Sequence, residues 1–369
     1  MDPGGAELLR PRYRPAACHP FAVLTDREGI GDILIKMPFL RWIQRAYPGH
    51  PIWWVASYQT AMETLMRPYA GDRIIQVISK TKSLGSASFA RSQLARLPRF
   101  SFVFDTRSRA LSVWVARKAL QYERYFSALP FYLLSDARPP GRLQRPILRW
   151  LRFLTLAEQA IGTRLDPRGT VPCSTDALDV AAKILPAGPR YVGIAPGSRE
   201  PRRNWPLDRF LQLASLLARD GFAPVILIGP YEEAMLIGPV EIHGCCTLKL
   251  SEFPPVPTFG AIDPALAICS RLSAVVANDA GMGHIAGAMG VPVVSLFGPT
   301  AAEKQAPFCP DGITIRARDY GRQSMEALPV PPVHHALLAL LQRNDRTVGD
   351  NGQEPTGMHP NPLASGRIF

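Results

Sequence analysis

A strand that ends in a carboxamide and a carboxylate and then turns through glycines into a helix can hold an anion. The chain carries such a segment at Asn278-Asp279-Ala280-Gly281-Met282-Gly283-His284, between the apolar run 274–277 and the helix-like stretch 285–289. The first backbone N–H groups of that helix have no partner within it and point outward, so a phosphate is the natural guest. Alone, the segment reads equally as a strand-to-helix connection whose glycines serve only the bend.

Two further segments repeat the arrangement. Residues 21–25 read as a strand and lead into Gly29-Ile30-Gly31-Asp32-Ile33-Leu34, which opens a helical pattern. Residues 191–195 lead into Pro196-Gly197-Ser198-Arg199, then Arg202-Arg203-Asn204-Trp205-Pro206, then an amphipathic helix from Asp208 to about Arg219. The spacing Gly29-x-Gly31 suggests a dinucleotide fingerprint, but the third glycine position is Leu34, which disfavours a dehydrogenase. Pro38 inside the following helical pattern predicts a kink near Leu34. An aspartate at a helix start is by itself an N-cap residue. At a strand-to-helix turn facing a cleft, the same carboxylate can also take a proton from a hydroxyl.

In this order, and with Phe297-Gly298-Pro299-Thr300 closing the series, the motifs resemble glycosyltransferase family 9, the heptosyltransferases of lipopolysaccharide core assembly, over roughly residues 20 to 340. The resemblance implies a GT-B architecture, two doubly wound Rossmann-like α/β domains facing each other across a cleft. It implies inverting transfer of a heptose or related sugar from a nucleoside diphosphate, ADP-heptose first among them, to a phosphorylated lipopolysaccharide-type acceptor. Asp32 falls on the family's general base. Gly31, Ser198, Arg199, Arg203, Glu232, Asp279, Gly281, Met282, Gly283 and His284 fall to the donor pocket, with Asp279 near the sugar hydroxyls, His284 near the phosphates and Glu232 near the ribose. Two positions depart from the pattern. Arg203 stands where a lysine is common, keeping the charge while adding a bidentate fork. Ala280 stands where Ser or Thr is usual, removing a hydroxyl from the turn. The chain has no Asp-x-Asp motif. Basic residues and a helix N-terminus can neutralise a diphosphate, so transfer without a metal or other cofactor is expected. The competing readings are a nucleotide-sugar epimerase of the same architecture, a catalytically inactive sugar-nucleotide-binding protein, and a basic lipid- or nucleic-acid-binding protein.

At 369 residues and 47% hydrophobic content, the chain suffices for two domains with sizeable cores. Apolar strands at 21–25, 52–56, 74–78, 101–105, 191–195, 224–228, 274–277 and 293–297 alternate with helical patterns, which implies parallel sheets covered on both faces. The expected organisation is a disordered tail over 1–20, an acceptor-binding domain over 21–170, and a nucleotide-sugar-binding domain over 188–332. A helix over 333–343, by the family resemblance, crosses back to the first domain, and a disordered tail over 344–369 follows.

The charge is lopsided. The net +12 divides into 26 Lys and Arg against 12 Asp and Glu in residues 1–170, and 16 against 18 in the remainder. A basic first half fits a polyanionic partner, a phosphorylated glycolipid or a membrane surface before nucleic acid, for which no recognition motif is present. Arg142, Arg145, Arg149 and Arg152 fall at helical offsets and are candidates for an acceptor or membrane face, although Pro146 argues that the regular helix begins only there. The six cysteines have no metal-ligand or disulfide spacing, pointing to a reducing cytoplasm. No apolar run approaches the roughly 18 to 20 residues of a membrane span, and the first 20 residues lack the apolar core of a secretory signal. The expected location is the cytoplasm, peripheral to the cytoplasmic face of the inner membrane.

Overall fold

The computed structural model describes residues 10–79, 87–229 and 245–350. Its first half runs β1 (Phe21–Thr25), α1 (Ile30–Leu34), α2 (Met37–Ala46), β2 (Ile52–Ala56), α3 (Arg67–Ala70), β3 (Ile74–Ser79), α4 (Ala87–Leu94), β4 (Phe100–Asp105), α5 (Ala110–Ala119), β5 (Tyr122–Ser127) and α6 (Arg149–Ile161). All strand pairs are parallel, in the order β3-β2-β1-β4-β5. β1 and β4 are buried along their whole length, which is why they read as unbroken apolar runs. Pro38 sits in the first turn of α2, just beyond a break after Leu34, where the proline was expected to interrupt the helix.

The second half runs α7 (Thr175–Ile184), β6 (Tyr191–Ala195), α8 (Leu207–Arg219), β7 (Ala223–Ile228), β8 (Cys246–Lys249), α9 (Asp263–Cys269), β9 (Ala274–Asn278), α10 (Gly281–Ala288), β10 (Val293–Phe297), α11 (Ala302–Gln305), β11 (Ile313–Arg316) and α12 (Val330–Asp350). Its six parallel strands lie in the order β11-β10-β9-β6-β7-β8. Phe210, Leu213, Ala214 and Leu217 of α8 recur at helical spacing and bury one face against the sheet. In both sheets the chain reverses direction across the strand order, between β1 and β4 and between β6 and β9. Such switch points open a crevice at the carboxyl ends of the strands, where ligands of doubly wound folds bind. The architecture is therefore α/β, two doubly wound parallel sheets in a GT-B arrangement. The chain passes from one half to the other between Arg168, whose carbonyl accepts from Arg41, and Val171, whose N–H donates to Ala288 O at 2.9 Å.

Several expectations are corrected. Residues 10–20 were expected to be a disordered tail, but Arg12 N donates to Ile161 O at 2.8 Å, Tyr13 packs on Phe126, and Ser101 Oγ donates to Ala16 O at 2.9 Å. The late helix was expected to cross back to the first half. Instead α12 lies on α8 and the second sheet, burying Val333, Leu337, Leu340 and Leu341 in that core, and it continues through Asp350. Three strands were not anticipated: β5, β8 and β11, each at a sheet edge. Among the described residues no helix is long and apolar enough to cross a membrane.

Candidate active site

The second sheet supplies two loops at its switch point. After β9, Asn278 is buried and ties both loops together: its Nδ2 donates to Pro196 O at 2.6 Å, and its Oδ1 accepts from Trp205 N at 3.0 Å. Ala280 is the N-cap of α10 and has no side chain to satisfy the first-turn amides, so the N–H groups of Gly281, Met282 and Gly283 carry no side-chain cap. Gly281 is exposed, and a Cβ there would meet open space, so its backbone is accessible to a ligand.

Across this turn, Arg203 NH1 donates to Asp279 Oδ2 at 3.2 Å, and its NH2 donates to Glu200 Oε1. The guanidinium therefore sits between two carboxylates, with its Nε buried and unpartnered. Burial raises the Asp279 pKa, opposed by the Thr300 hydroxyl and Arg203 and reinforced by Glu200. Ser198 is buried and turned into its own loop, donating to Glu200 O at 2.8 Å and accepting from Glu200 N at 3.3 Å. Arg199 is exposed, and Arg202 pairs with Glu200. Glu232 lies outside the described residues.

On the first sheet, Asp32 occupies the first turn of α1. Its Oδ2 accepts from Gly29 N at 3.1 Å, the contact of a helix cap, while Oδ1 accepts from Arg149 NH1 at 2.7 Å. The carboxylate thus caps its helix and still faces the cleft, with about 30% of the side chain exposed. Beneath it lies a sealed network. Lys36 is buried in an ion pair with Glu28, which also accepts from Trp54 Nε1 at 2.8 Å and Thr60 Oγ1 at 2.9 Å. Lys36 Nζ reaches Asp32 O at 3.4 Å and lies 4.8 Å from the Phe153 ring centroid. A buried pair is kept only when its remaining hydrogen-bonding capacity is satisfied; here that requirement fixes β1, α1, β2 and α6 relative to one another. A cavity of about 170 Å³ opens at the same edge of this sheet, lined by Leu24, Ser57, Ile78, Gln93, Arg96 and Arg107.

The two halves meet at the motif residues. A Cβ on Gly31 would come within 2.7 Å of His284 Cδ2, so only glycine admits the ring there. His284 is partly buried, with Nδ1 sealed and unpartnered. Burial lowers its pKa to about 4, with Asp32 raising it and Arg149 lowering it further, so at neutral pH the ring is uncharged and offers hydrogen bonds rather than charge. Trp150 of α6 packs edge-on against Phe308 at 5.2 Å, adding an apolar contact between the halves.

The arginine row is not one helical face. α6 begins only at Arg149, because Pro146 and the extended Leu148 precede it. Arg142 Nε donates to buried Glu158 at 3.2 Å, Arg145 NH1 to Ala128 O at 3.3 Å, and Arg152 to the carbonyls of Pro146 and Ile147. Only Arg149 joins the site. The Arg152 pKa falls to about 10 through burial and the proximity of Arg145 and Arg149, a sign of crowded positive charge beside Asp32.

The family model described as glycosyltransferase family 9 (heptosyltransferase) matches residues 125–327, more than half of the chain. The chain belongs to glycosyltransferase family 9. Among curated relatives, lipooligosaccharide heptosyltransferase 2 of Haemophilus influenzae is 32% identical over 130 residues, 34% of this chain and 36% of that protein. Lipopolysaccharide heptosyltransferase 1 of Pseudomonas aeruginosa is 25% identical over 295 residues, 75% of this chain and 78% of that protein. The chain thus spans only about a third of the length of the first relative. Two solved structures share the fold: the family 9 glycosyl transferase of Veillonella parvula, with TM-score 0.58, 17% identity and coverage of 88% and 97%, and the E. coli heptosyltransferase WaaC with ADP-2-deoxy-2-fluoro heptose, with TM-score 0.55, 18% identity and coverage of 88% and 99%.

Within this family 9 chain, sequence reasoning left several residues unassigned. Arg149 was seen only as part of a basic row, and its pairing with Asp32 arises from packing of α6 against α2. Asn278 belongs to the quoted turn motif and Glu200 lies between the two quoted loop segments, so their polar side chains beside the turn and Arg203 were the available signal. Nothing local marked Lys36 and Glu28 as a buried pair.

Proposed function

We propose that this chain is an inverting heptosyltransferase that moves a heptose from ADP-heptose to an anionic, lipopolysaccharide core-type glycolipid. One contact carries the reading: His284, in the first turn of α10, lies against Gly31, the neighbour of Asp32. A candidate base on one half therefore faces a candidate diphosphate seat on the other. In the step proposed, the acceptor hydroxyl oxygen bonds to the sugar C1 as the C1–O bond to the β-phosphate breaks. The electron pair leaves with the diphosphate, and the hydroxyl proton passes to the Asp32 carboxylate. Each Asp32 oxygen accepts one hydrogen bond and retains capacity for another. The uncapped amides of α10 and the Arg203 guanidinium would neutralise the leaving diphosphate without a divalent cation. Arg149 on Asp32, with the charges of Arg145 and Arg152 close by, favours an acceptor carrying phosphate or carboxylate near the reacting hydroxyl. Such an acceptor places the protein in the cytoplasm, peripheral to the inner membrane.

The test couples binding to product. A panel of ADP-, GDP-, UDP- and dTDP-sugars should raise the thermal midpoint only for the ADP-sugar, since a ligand that binds the folded state alone stabilises it. ADP release should require the acceptor, and the product's anomeric configuration should be opposite to the donor's. Release of free epimerised sugar without acceptor would establish the epimerase reading instead.

A further inference from the structure

The segment between β5 and α6 carries more apolar surface than a solvated loop needs. Phe131, Leu133, Leu143 and Ile147 are 53%, 59%, 77% and 70% exposed, and Leu148 is also exposed. Scattered single apolar residues are ordinary, but a cluster of this kind marks an interaction surface. These residues are held close by the fold. Tyr132 is buried and its hydroxyl donates to Gln144 O at 3.1 Å, while Arg145 reaches back to Ala128 O, so the two ends of the segment are stitched together.

The exposure is built in rather than left over. Phe131, Tyr132 and Leu134 all adopt positive φ, at 53°, 55° and 60°, a region disfavoured for large side chains. This turn buries Tyr132 while its neighbours Phe131 and Leu133 face solvent. Arg152 similarly clamps the carbonyls of Pro146 and Ile147 at 3.1 and 2.6 Å, fixing the exposed strap that carries Ile147. The charge accompanying the apolar residues is one-sided. Residues 128–152 contain five arginines and a single acidic residue, Asp136, which is already paired with Arg117 at 2.6 Å. Exposed aliphatic and aromatic groups set among arginines match a bilayer interface, where the apolar groups enter the acyl boundary and the guanidinium groups meet lipid phosphates.

We propose that the segment 131–148 is the surface by which this protein docks on an anionic lipid bilayer, with Phe131, Leu133, Leu143 and Ile147 inserting and Arg138 meeting the headgroups. The segment ends at Leu148, next to Arg149 on Asp32, so docking would set the reacting carboxylate beside the membrane surface. The biological purpose of that placement rests on the glycolipid-acceptor reading, whereas lipid binding itself does not depend on it.

The experiment is vesicle flotation of the full chain with phosphatidylcholine vesicles, alone or mixed with phosphatidylglycerol, compared with L143S/I147S and R138E variants. Wild type should float with the anionic vesicles and bind the neutral ones weakly. L143S/I147S should lose roughly tenfold in partitioning, and R138E should bind less and show a weaker dependence on salt. Both variants should keep the wild-type thermal midpoint and the wild-type rate on a water-soluble, deacylated acceptor. Equal partitioning of wild type and L143S/I147S, or no wild-type binding to anionic vesicles, overturns the proposal. So does a wild-type dimer that L143S/I147S dissociates in sedimentation, which would assign the patch to a second copy. If transfer is absent while anionic vesicles still bind, the functional reading fails and the docking surface stands.

Discussion

The cleft is flanked by two arginine–aspartate pairs that differ in construction. Arg203 and Asp279 both belong to turns at the switch point of the second sheet, and Glu200 from the same loop shares the guanidinium. Asp279 is nearly enclosed, with 6% of its side chain exposed. Arg149 and Asp32 come from helices separated by 117 residues, and each side chain is 30% exposed. In the first pair only the carboxylate of Asp279 is enclosed, and Arg203, 26% exposed, rests against two carboxylates, so a diphosphate must take over partners that the loop already satisfies. The open pair instead orients a carboxylate that remains in contact with solvent. The first arrangement suits binding of an anion, and the second suits proton transfer from an arriving hydroxyl.

The hardest blow to this division is Asp32→Asn. The amide still accepts at one atom and preserves the approximate shape, but it cannot take up the hydroxyl proton. Turnover should fall by about 10² to 10⁴ while donor affinity stays near wild type. Steady-state kinetics with calorimetry on ADP-sugar separate the two readouts. Turnover within a few-fold of wild type would remove Asp32 from the role of base, and a matching loss of donor affinity would leave it only the capping contact with Gly29.

The two arginines should then fail in opposite ways. Arg203→Ala should weaken ADP binding by about 1.5 to 3 kcal/mol through loss of a charge-assisted contact, with Arg203→Lys recovering much of it. Arg149→Ala should leave ADP binding unchanged and lower kcat by about tenfold through a less ordered Asp32. Identical effects of the two alanine substitutions on kcat and on ADP affinity would erase the distinction between a binding pair and an orienting pair.

What could be read from the sequence follows the same boundary. β1, β2, β6, β9 and β10 lie inside their sheets, so burial on both faces writes them as apolar runs. β5 begins Tyr122-Glu123-Arg124, and β8 is largely exposed; as edge strands they need no such run and were missed. The residues around Arg203 and Asp279 cluster in short motifs because local turns at the switch point bring them together. Arg149 could be seen as basic but not as the partner of Asp32, because that contact depends on how α6 packs against α2. The direction of α12 was equally hidden, since Val333, Leu337 and Leu340 specify an apolar face without naming the surface that covers it.

The smallest expected effect probes the contact between the two halves. The folded-state pKa of His284 is about 4, below the ordinary 6.5, with burial as the leading cause. As pH falls through 6.5 the unfolded chain takes up a proton at this ring, whereas the folded protein does so only near pH 4. Its contribution to stability is therefore fully present above about pH 6.5, declines on acidification, and levels off below about pH 4. Between pH 7 and 5.5 the loss should be at most about 1.2 kcal/mol. Denaturant unfolding of wild type and His284→Gln at these two pH values isolates the term, because other titrating groups are common to both. The glutamine variant should lose less stability over the interval by about that amount. Equal losses would mean that the ring is not held uncharged against Gly31, and the enclosure that joins the turn before α10 to the start of α1 would have to be looser than its geometry implies.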